Sequence, residues 1–170
     1  MLSPIIEEAL NNQITIEAQS SQVYLSMASW AEVLGFEGVA QFMYAHSDEE
    51  RIHMLKMVKF VNERGGHAKV SSLEAPPVEF GSFKEMFQEL FNHEVKVSAC
   101  INDLVDICLQ QKDYATHNFL QWYVSEQIEE EALARTILDK IKLIGDDKGG
   151  FYLFDNDIKQ LISTDTKKQP

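Results

Sequence analysis

Cysteine, long apolar runs and leader-like segments are scarce or missing in this sequence. The two cysteines, Cys100 and Cys108, are eight residues apart, which on one helix separates them by about 12 Å, too far for a disulfide bond between them. No apolar run approaches the roughly 18 residues that cross a membrane, so we expect no membrane partner. The acidic opening, MLSPIIEEAL, lacks the basic and apolar regions of a signal peptide, and we therefore expect a cytoplasmic protein.

Basic residues are also scarce relative to acids. The 170 residues include 15 Lys and Arg against 27 Asp and Glu, which gives a formal net charge of −12. This charge argues against a nucleic-acid partner. It would attract cations, although an acidic, solvated surface is an equally common explanation. Hydrophobic residues make up 45%, so length and composition predict one ordered globular domain with a sizeable core.

Four long segments carry apolar residues at the three- and four-residue steps typical of helices buried in a bundle. Ser3, Ser82 and Asp113 are suitable N-cap residues at the starts of three of them. Glycines follow the first, second and fourth segments, as is common where a helix stops. The four predicted helices, counted from their cap residues where these exist, cover 3–34, 38–64, 82–110 and 113–145.

Loop lengths predict how these helices are connected. The first and second helices are joined by few residues, as are the third and fourth, so each pair should be antiparallel. The stretch 66–81 separates the two pairs. Extended, it reaches about 50 Å, more than the ~40 Å length of a 27-residue helix. The predicted fold class is therefore all-α, a four-helix bundle with one long crossover.

A short aromatic and apolar segment, 151–162, follows the four helices. A monomeric bundle has little use for it, so we expect a short fifth helix that is buried between subunits. The last residues, 164–170, are predicted to be a disordered tail. The predicted domain is thus 1–163, the bundle plus its fifth helix.

Each of the four helices has polar residues in the middle of its apolar face. These are, in chain order, Glu17, Glu50 with His53, Glu94, and Gln127 with Glu130. Burying an unpaired charge is so costly that the group must be neutralised, paired or bound to metal. Because all the interruptions lie near one level of the bundle, they predict a pair of metal ions. Carboxylates with one imidazole and no thiolate favour iron or manganese over structural zinc.

The pattern differs from the general one for carboxylate-bridged di-iron bundles. Those bundles take one Glu from each of two helices and Glu-x-x-His from each of the other two. Here only Glu50-x-x-His53 has that form, since the fourth helix offers Gln127-x-x-Glu130. Two other interpretations stay open: a redox enzyme that keeps its two metals as a cofactor, and an acidic structural bundle that binds no metal.

Over essentially its whole length the sequence resembles the bacterial non-haem ferritins. The resemblance is carried by Glu17 seven residues before Tyr24, D-E-E-R-I-H at 48–53, Glu94, W-Y-V-S-E-Q-I-E-E-E at 122–131 and the C-terminal segment. It implies an iron-storage protein with a ferroxidase activity, which oxidises Fe(II) with O2 or H2O2. The ferric product would be stored as mineral inside a hollow shell of 24 identical subunits.

The resemblance also implies roles for individual residues. Glu17, Glu50 and His53 would hold one iron. Glu50, as a bridge, would hold the second iron with Glu94 and Glu130, and Gln127 would lie near it. A third, looser iron site is matched by Glu49, Glu126, Glu129 and Glu130. Tyr24 and Trp122 match aromatic residues that donate electrons, so Glu50, His53 and Tyr24 are the predicted catalytic residues, although core packing explains the two aromatic residues equally well.

Several positions depart from related patterns. His117 and Leu120 stand where animal ferritins place the acids of a threefold pore, which argues against an acidic entry there. Ile52 stands at the position of the methionine haem ligand of bacterioferritins, and we expect no haem. The absence of a CxxC domain argues against a rubrerythrin. His46, one turn before Glu50, is better explained as a packed or hydrogen-bonded histidine than as an iron contact.

Overall fold

Five helices form the part of the chain that the structure, a computed structural model, describes: residues 2–165, with side chains to 162. In order these are α1 (Pro4–Val33), α2 (Glu37–Glu63), α3 (Phe83–Gln110), α4 (Tyr114–Ile144) and α5 (Lys148–Asp165). Within 2–165 there is no strand. The all-α prediction is therefore confirmed, and the four predicted long helices match the observed ones to within one or two residues.

Local hydrogen bonds explain where three of the helices begin. The Ser3 hydroxyl accepts from the backbone of Ile6 at 3.4 Å, and the Ser82 hydroxyl accepts from the backbone of Glu85 at 3.2 Å. Asp113 caps α4 in the same way, with the N–H of Thr116 at 3.0 Å. Such caps satisfy backbone donors that the first turn leaves unpaired. The start of α2 lacks a cap of this kind, because Phe36 has no side-chain acceptor.

The segment between α2 and α3 crosses the full length of the bundle along α1. Near one end, the Asn11 amide donates to the carbonyl of His67 at 3.1 Å. Near the other, the Ser26 hydroxyl donates to the carbonyl of Pro77 at 2.5 Å. An early residue of α1 thus contacts an early residue of the crossover, and a later one contacts a later one. The crossover therefore runs parallel to α1. The predicted arrangement of two antiparallel pairs joined by one crossover is confirmed.

A polar layer divides the core into two apolar clusters. One cluster includes Tyr24, Phe42, Phe87 and Ile137 and continues to α5. The other is built around Leu10, Met57, Val97, Ile101, Leu104 and Leu120. Between them along the helices lie the buried polar side chains Glu17, His46, Glu50, His53, Glu94 and Gln127. The fold thus places the polar interruptions of four helices at one level, as the sequence predicts.

The fifth helix packs on its own bundle with one face and exposes apolar residues on another. Phe154 and Ile158 are buried in the core of the same chain, whereas Tyr152 and Leu153 are exposed. The expectation of a helix buried between subunits is therefore wrong for its inner face, and contact between subunits stays a prediction for its outer face. The predicted disordered tail, 164–170, overlaps the last two residues of α5, and 166–170 lies outside the described residues. The domain boundary at 163 remains a prediction.

None of the helices among the described residues is both long enough and apolar enough to cross a membrane.

Candidate metal centre

Glu17 enters the polar layer from α1 and is almost completely buried. Its neighbour one turn earlier, Gln13, is buried too and donates a hydrogen bond from Nε2 to Glu17 Oε1 at 2.8 Å. The amide therefore holds the carboxyl group in one orientation. The glutamine four residues before the central acid, one helical turn away, is the signal by which this partner could have been predicted.

The helix α2 contributes Glu50 and His53, which lie on one face because they are three residues apart. His53 Nδ1 is 3.6 Å from Glu50 Oε2. That same oxygen is buried and has no hydrogen-bond partner among the described residues. Ligand atoms of Glu17, Glu50 and His53 all lie within 4.8 Å of one another. A cation at this position would satisfy the unpartnered oxygen, so the donor set fits a metal ion.

Two contacts hold His53 from the side of α4. The Tyr123 hydroxyl donates to the His53 carbonyl at 2.8 Å. The Trp122 ring meets the imidazole edge to face, with the ring centres 5.1 Å apart. The ammonium of Lys56 lies over the Trp122 ring, 3.4 Å from the ring centre. The role of Tyr123 could not be predicted from sequence, because a helical pattern does not show a hydrogen bond to a backbone carbonyl 70 positions away.

Glu94 on α3 is held by two donors from other helices. The Tyr24 hydroxyl donates to Glu94 Oε1, and Gln127 Nε2 donates to Glu94 Oε2 at 3.0 Å. Tyr24 is fully buried, and its ring packs edge to face with that of His93, the centres 5.7 Å apart. The structure therefore brings Tyr24 and Gln127 together at Glu94, and their position beside a metal centre stays a prediction.

Glu130 on α4 faces a second group of donors. Its Oε2 is 3.6 Å from His46 Nε2, and ligand atoms of His46, Glu49 and Glu130 lie within 4.8 Å of one another. Glu126 and Glu129, the other predicted members of the third site, belong to neither of the two groups found among the described residues. The assignment of all these side chains to particular irons remains a prediction.

Burial and crowding make three of the four central acids hard to ionise. Burial raises the pKa of Glu17 and of Glu50 well above the usual range, and the charge of the neighbouring acids adds to the effect. Burial, followed by the charge of Glu130, raises the pKa of Glu94 to about 7. Protonated carboxyl groups would release their protons when a cation binds. The layer is therefore built for neutralisation by positive charge.

The fourth acid is already paired. Burial opposes ionisation of both Glu130 and His46, but their hydrogen bond and mutual attraction outweigh it. The pKa of Glu130 is consequently lowered, and that of His46 is raised to about 9. Oxygen and imidazole donors of this kind suit first-row divalent metals, including iron. The two groups, which have only α2 in common, could hold neighbouring ions.

Comparisons with known proteins agree on one family. The model of the ferritin-like domain matches residues 7–144. The sequence is 44% identical over 161 residues to a probable bacterial non-heme ferritin-like protein of Haemophilus influenzae, covering 95% of this chain and 98% of that protein. It is also 44% identical over 161 residues to a bacterial non-heme ferritin of Campylobacter jejuni, covering 95% and 96% of the two chains.

Solved structures lead to the same result. An open-pore ferritin from the archaeon Archaeoglobus fulgidus superposes with a TM-score of 0.92 and is 44% identical, over 94% of this chain and 98% of that one. An engineered closed form of the A. fulgidus ferritin also gives 0.92, with 43% identity over 94% and 97% of the two chains. Since family model, relatives and folds coincide over nearly the whole length, the chain belongs to the ferritin family.

Proposed function

We propose that this chain is an iron-storage ferritin whose subunit oxidises Fe(II) at a di-iron centre in the polar layer. The observation that carries the proposal is Glu50: a buried carboxylate with an unpartnered oxygen, beside Glu17 and His53. The charges of Glu94 and Glu130 act on the same side chain. A central acid within reach of both sets of donors is suited to bridge two ions.

Iron is the substrate in this proposal. One Fe(II) would be held by Glu17, Glu50 and His53, and the other by Glu50, Glu94 and Glu130, with Gln127 nearby. Each Fe(II) gives one electron, so two together reduce O2 and two protons to H2O2, or H2O2 and two protons to two waters. The carboxyl groups of Glu17, Glu50 and Glu94 supply protons as the cations bind, since their neutral forms are favoured in the metal-free protein.

The oxidised iron would leave for storage rather than stay as a cofactor. Gln127 is a neutral amide, so it adds no negative charge beside the second iron, and its N–H donates to Glu94. Glu49, Glu126, Glu129 and Glu130 are proposed as a third, looser iron site, as the family resemblance implies. The related proteins are named as non-heme ferritins, which supports a centre without haem. The shell of 24 identical subunits and the cytoplasmic location stay proposals from the sequence.

The test is Fe(II) oxidation by Glu50→Ala. We expect this variant to lose fast oxidation, because the side chain touches both proposed iron positions, and His53→Ala to be strongly slowed. Glu63→Gln is the matched control, since Glu63 is exposed near the end of the same helix. Initial rates are followed by ferric absorbance, and assembly by light scattering with and without Fe(II). A wild-type initial rate in Glu50→Ala would show that the proposed centre is misplaced.

A further inference from the structure

We propose that His93, hydrogen-bonded to Ser20, is a positioning residue that fixes the spacing between the helices that carry Glu17 and Glu94. We call the hydrogen bond between the two side chains the Ser20–His93 bond. The inference rests on the proposed function, because it concerns the spacing of the two proposed iron positions. Neither Ser20 nor His93 belongs to the site residues predicted from sequence, and neither is a proposed iron ligand.

The Ser20–His93 bond joins the two antiparallel helix pairs at the level of the polar layer. Ser20 lies on α1, one turn after Glu17, and is completely buried. His93 lies on α3 directly before Glu94 and is half-buried. The imidazole Nε2 is 2.7 Å from the Ser20 hydroxyl oxygen, at the short end of the usual range for a hydrogen bond. The separation of α1 and α3 is therefore fixed within one turn of both acids.

The direction of the bond follows from a second contact of the hydroxyl group. Ser20 donates its hydroxyl hydrogen to the carbonyl oxygen of Ile16 at 3.1 Å. A hydroxyl group has one hydrogen to donate but can also accept, so His93 Nε2 carries a hydrogen and donates it to Ser20. The imidazole is thus linked through Ser20 to the backbone of α1, which limits the movement of both side chains.

Tyr24 lies beside the same bond and forms a second connection between α1 and α3. Its buried ring meets the His93 imidazole edge to face, with the centres 5.7 Å apart. Its hydroxyl donates to Glu94. That hydrogen bond involves a proposed iron ligand, whereas the Ser20–His93 bond does not. The Ser20–His93 bond can therefore persist while ions bind and leave.

A fixed spacing matters because the two proposed iron positions take ligands from different helices. Glu17 belongs to the first position, Glu94 to the second, and Glu50 to both. When ligands are held in place beforehand, less ordering is needed on binding, and outer residues that hold ligands commonly change metal affinity by about 10–100-fold. Loss of the bond should mainly weaken the second ion, because Glu94 directly follows His93, whereas Glu17 is still held by Gln13.

A purely structural hydrogen bond is the competing explanation. Its loss would lower the melting temperature but would leave the affinities for ions unchanged at temperatures well below melting. The positioning role predicts a selective loss of affinity for the second ion in protein that is still folded and assembled. Stability and ion affinity can be measured on the same variants, so the two explanations can be separated.

The test measures Zn(II) binding to the assembled, metal-free protein by calorimetric titration. We expect Ser20→Ala and His93→Phe to bind the second Zn(II) per subunit about three- to tenfold more weakly, and the first with the affinity of the parent. His93→Phe keeps a ring against Tyr24 but has no hydrogen-bond donor. His93→Gln can donate from its amide to Ser20, and it should restore the affinity of the parent for the second ion.

Ser125→Ala is the matched control. Ser125 is exposed on α4 and donates to the carbonyl of Gln121 at 3.1 Å, as Ser20 does to Ile16. The double variant Ser20→Ala/His93→Phe should bind the second ion no more weakly than either single variant, because both changes remove the same bond. In Fe(II) oxidation, the half-saturating Fe(II) concentration should rise about three- to tenfold, while the saturated rate stays near that of the parent.

Light scattering and thermal melts verify that each variant folds and assembles. If His93→Phe does not fold, Ser20→Ala, which removes a single oxygen atom, carries the test. Parent affinity for the second Zn(II) in Ser20→Ala would overturn the proposal, as would an equal loss of affinity in Ser125→Ala. A wild-type oxidation rate in Glu50→Ala would instead count against the di-iron centre, so failure of the two ideas can be distinguished.

Discussion

Asp155, on the fifth helix, caps the start of the second: its Oδ1 accepts a hydrogen bond from the N–H of Val39 at 2.9 Å. The two backbones are in contact at this point, because a Cβ added to Gly38 would lie 1.7 Å from the Asp155 carbonyl oxygen. The helix that carries Glu50 and His53 therefore takes its N-terminal cap from a residue 116 positions later in the chain.

Replacing this cap should lower the stability of the subunit. We expect Asp155→Ala to cost about 1 kcal/mol of unfolding free energy, as is usual for a lost helix cap. For a chain of this size, that corresponds to a drop of about 2–4 °C in melting temperature. Asp157→Ala is the control, since Asp157 is exposed on the same helix. Equal melting of the two variants would mean that the capping bond contributes nothing.

The two faces of α5 predict separable effects on folding and assembly. Removing everything after Gly149 takes Phe154 and Ile158 out of the core, so it should destabilise the subunit itself. Replacing only the exposed Tyr152 and Leu153 by serine should leave the melting of the subunit nearly unchanged but weaken the proposed shell. Gel filtration and thermal melts on both proteins decide this. A monomeric parent protein in native buffer would remove the basis for the second expectation.

The ammonium of Lys56 over the Trp122 ring predicts an effect on electron donation. A positive charge 3.4 Å from the ring centre raises the energy needed to remove an electron from the indole. If Trp122 supplies electrons during oxygen reduction, Lys56→Met should increase its oxidation during repeated Fe(II) turnover. Peptide mass spectrometry measures the oxidised fraction, with the exposed Lys59 replaced by Met as control. The same fraction in both variants would exclude this influence.

The position of the centre could be predicted from sequence, but much of its support could not. Helical periodicity shows which side of a helix faces the core, and Glu17, Glu50, Glu94 and Gln127 stand out there by their polarity. Periodicity does not show which atoms of two helices come within bonding distance. The pairing of His46 with Glu130 depends on rotations of α2 and α4, and was therefore not predicted.

Local chemistry was likewise easier to predict than long-range packing. Ser3, Ser82 and Asp113 cap helices through neighbours three residues away, so their role is visible in the sequence. The Asp155 cap links positions 116 apart, and nothing near Phe36 indicates it. The expectation that α5 serves only contacts between subunits was incomplete for the same reason, since its apolar residues do not reveal which surface they cover.

Metal-free protein should lose stability as the pH rises from about 4.5 to 7. The pKa of Glu94 is about 7 in the folded state, against an ordinary value of 4.5. Between these values the folded state binds more protons than the unfolded state, so unfolding becomes easier as the pH rises. Glu94→Gln removes the part of this dependence that Glu94 contributes, and the variant should be more stable than the parent at pH 8, by on the order of 1–3 kcal/mol.

The same variant should gain little at pH 4.5, where the parent carboxyl group is protonated in the folded state and no longer costs stability. Thermal melts of both proteins at the two pH values measure the difference. Glu89→Gln, at an exposed position on α3, controls for the loss of one negative charge. A gain of the same size at both pH values would contradict the assigned ionisation.

Iron uptake separates storage from a retained di-metal cofactor. An enzyme that keeps its metals should saturate at about two irons per subunit, the number the proposed centre holds. The storage proposal predicts uptake well beyond that, because Gln127 contributes a neutral amide engaged with Glu94, and a weakly held second iron can leave after oxidation. Excess Fe(II) is added in air, and protein-bound iron is counted after desalting. Glu50→Ala serves as the comparison for iron that deposits without the centre. A firm limit near two irons per subunit in the parent protein would leave only the enzyme interpretation.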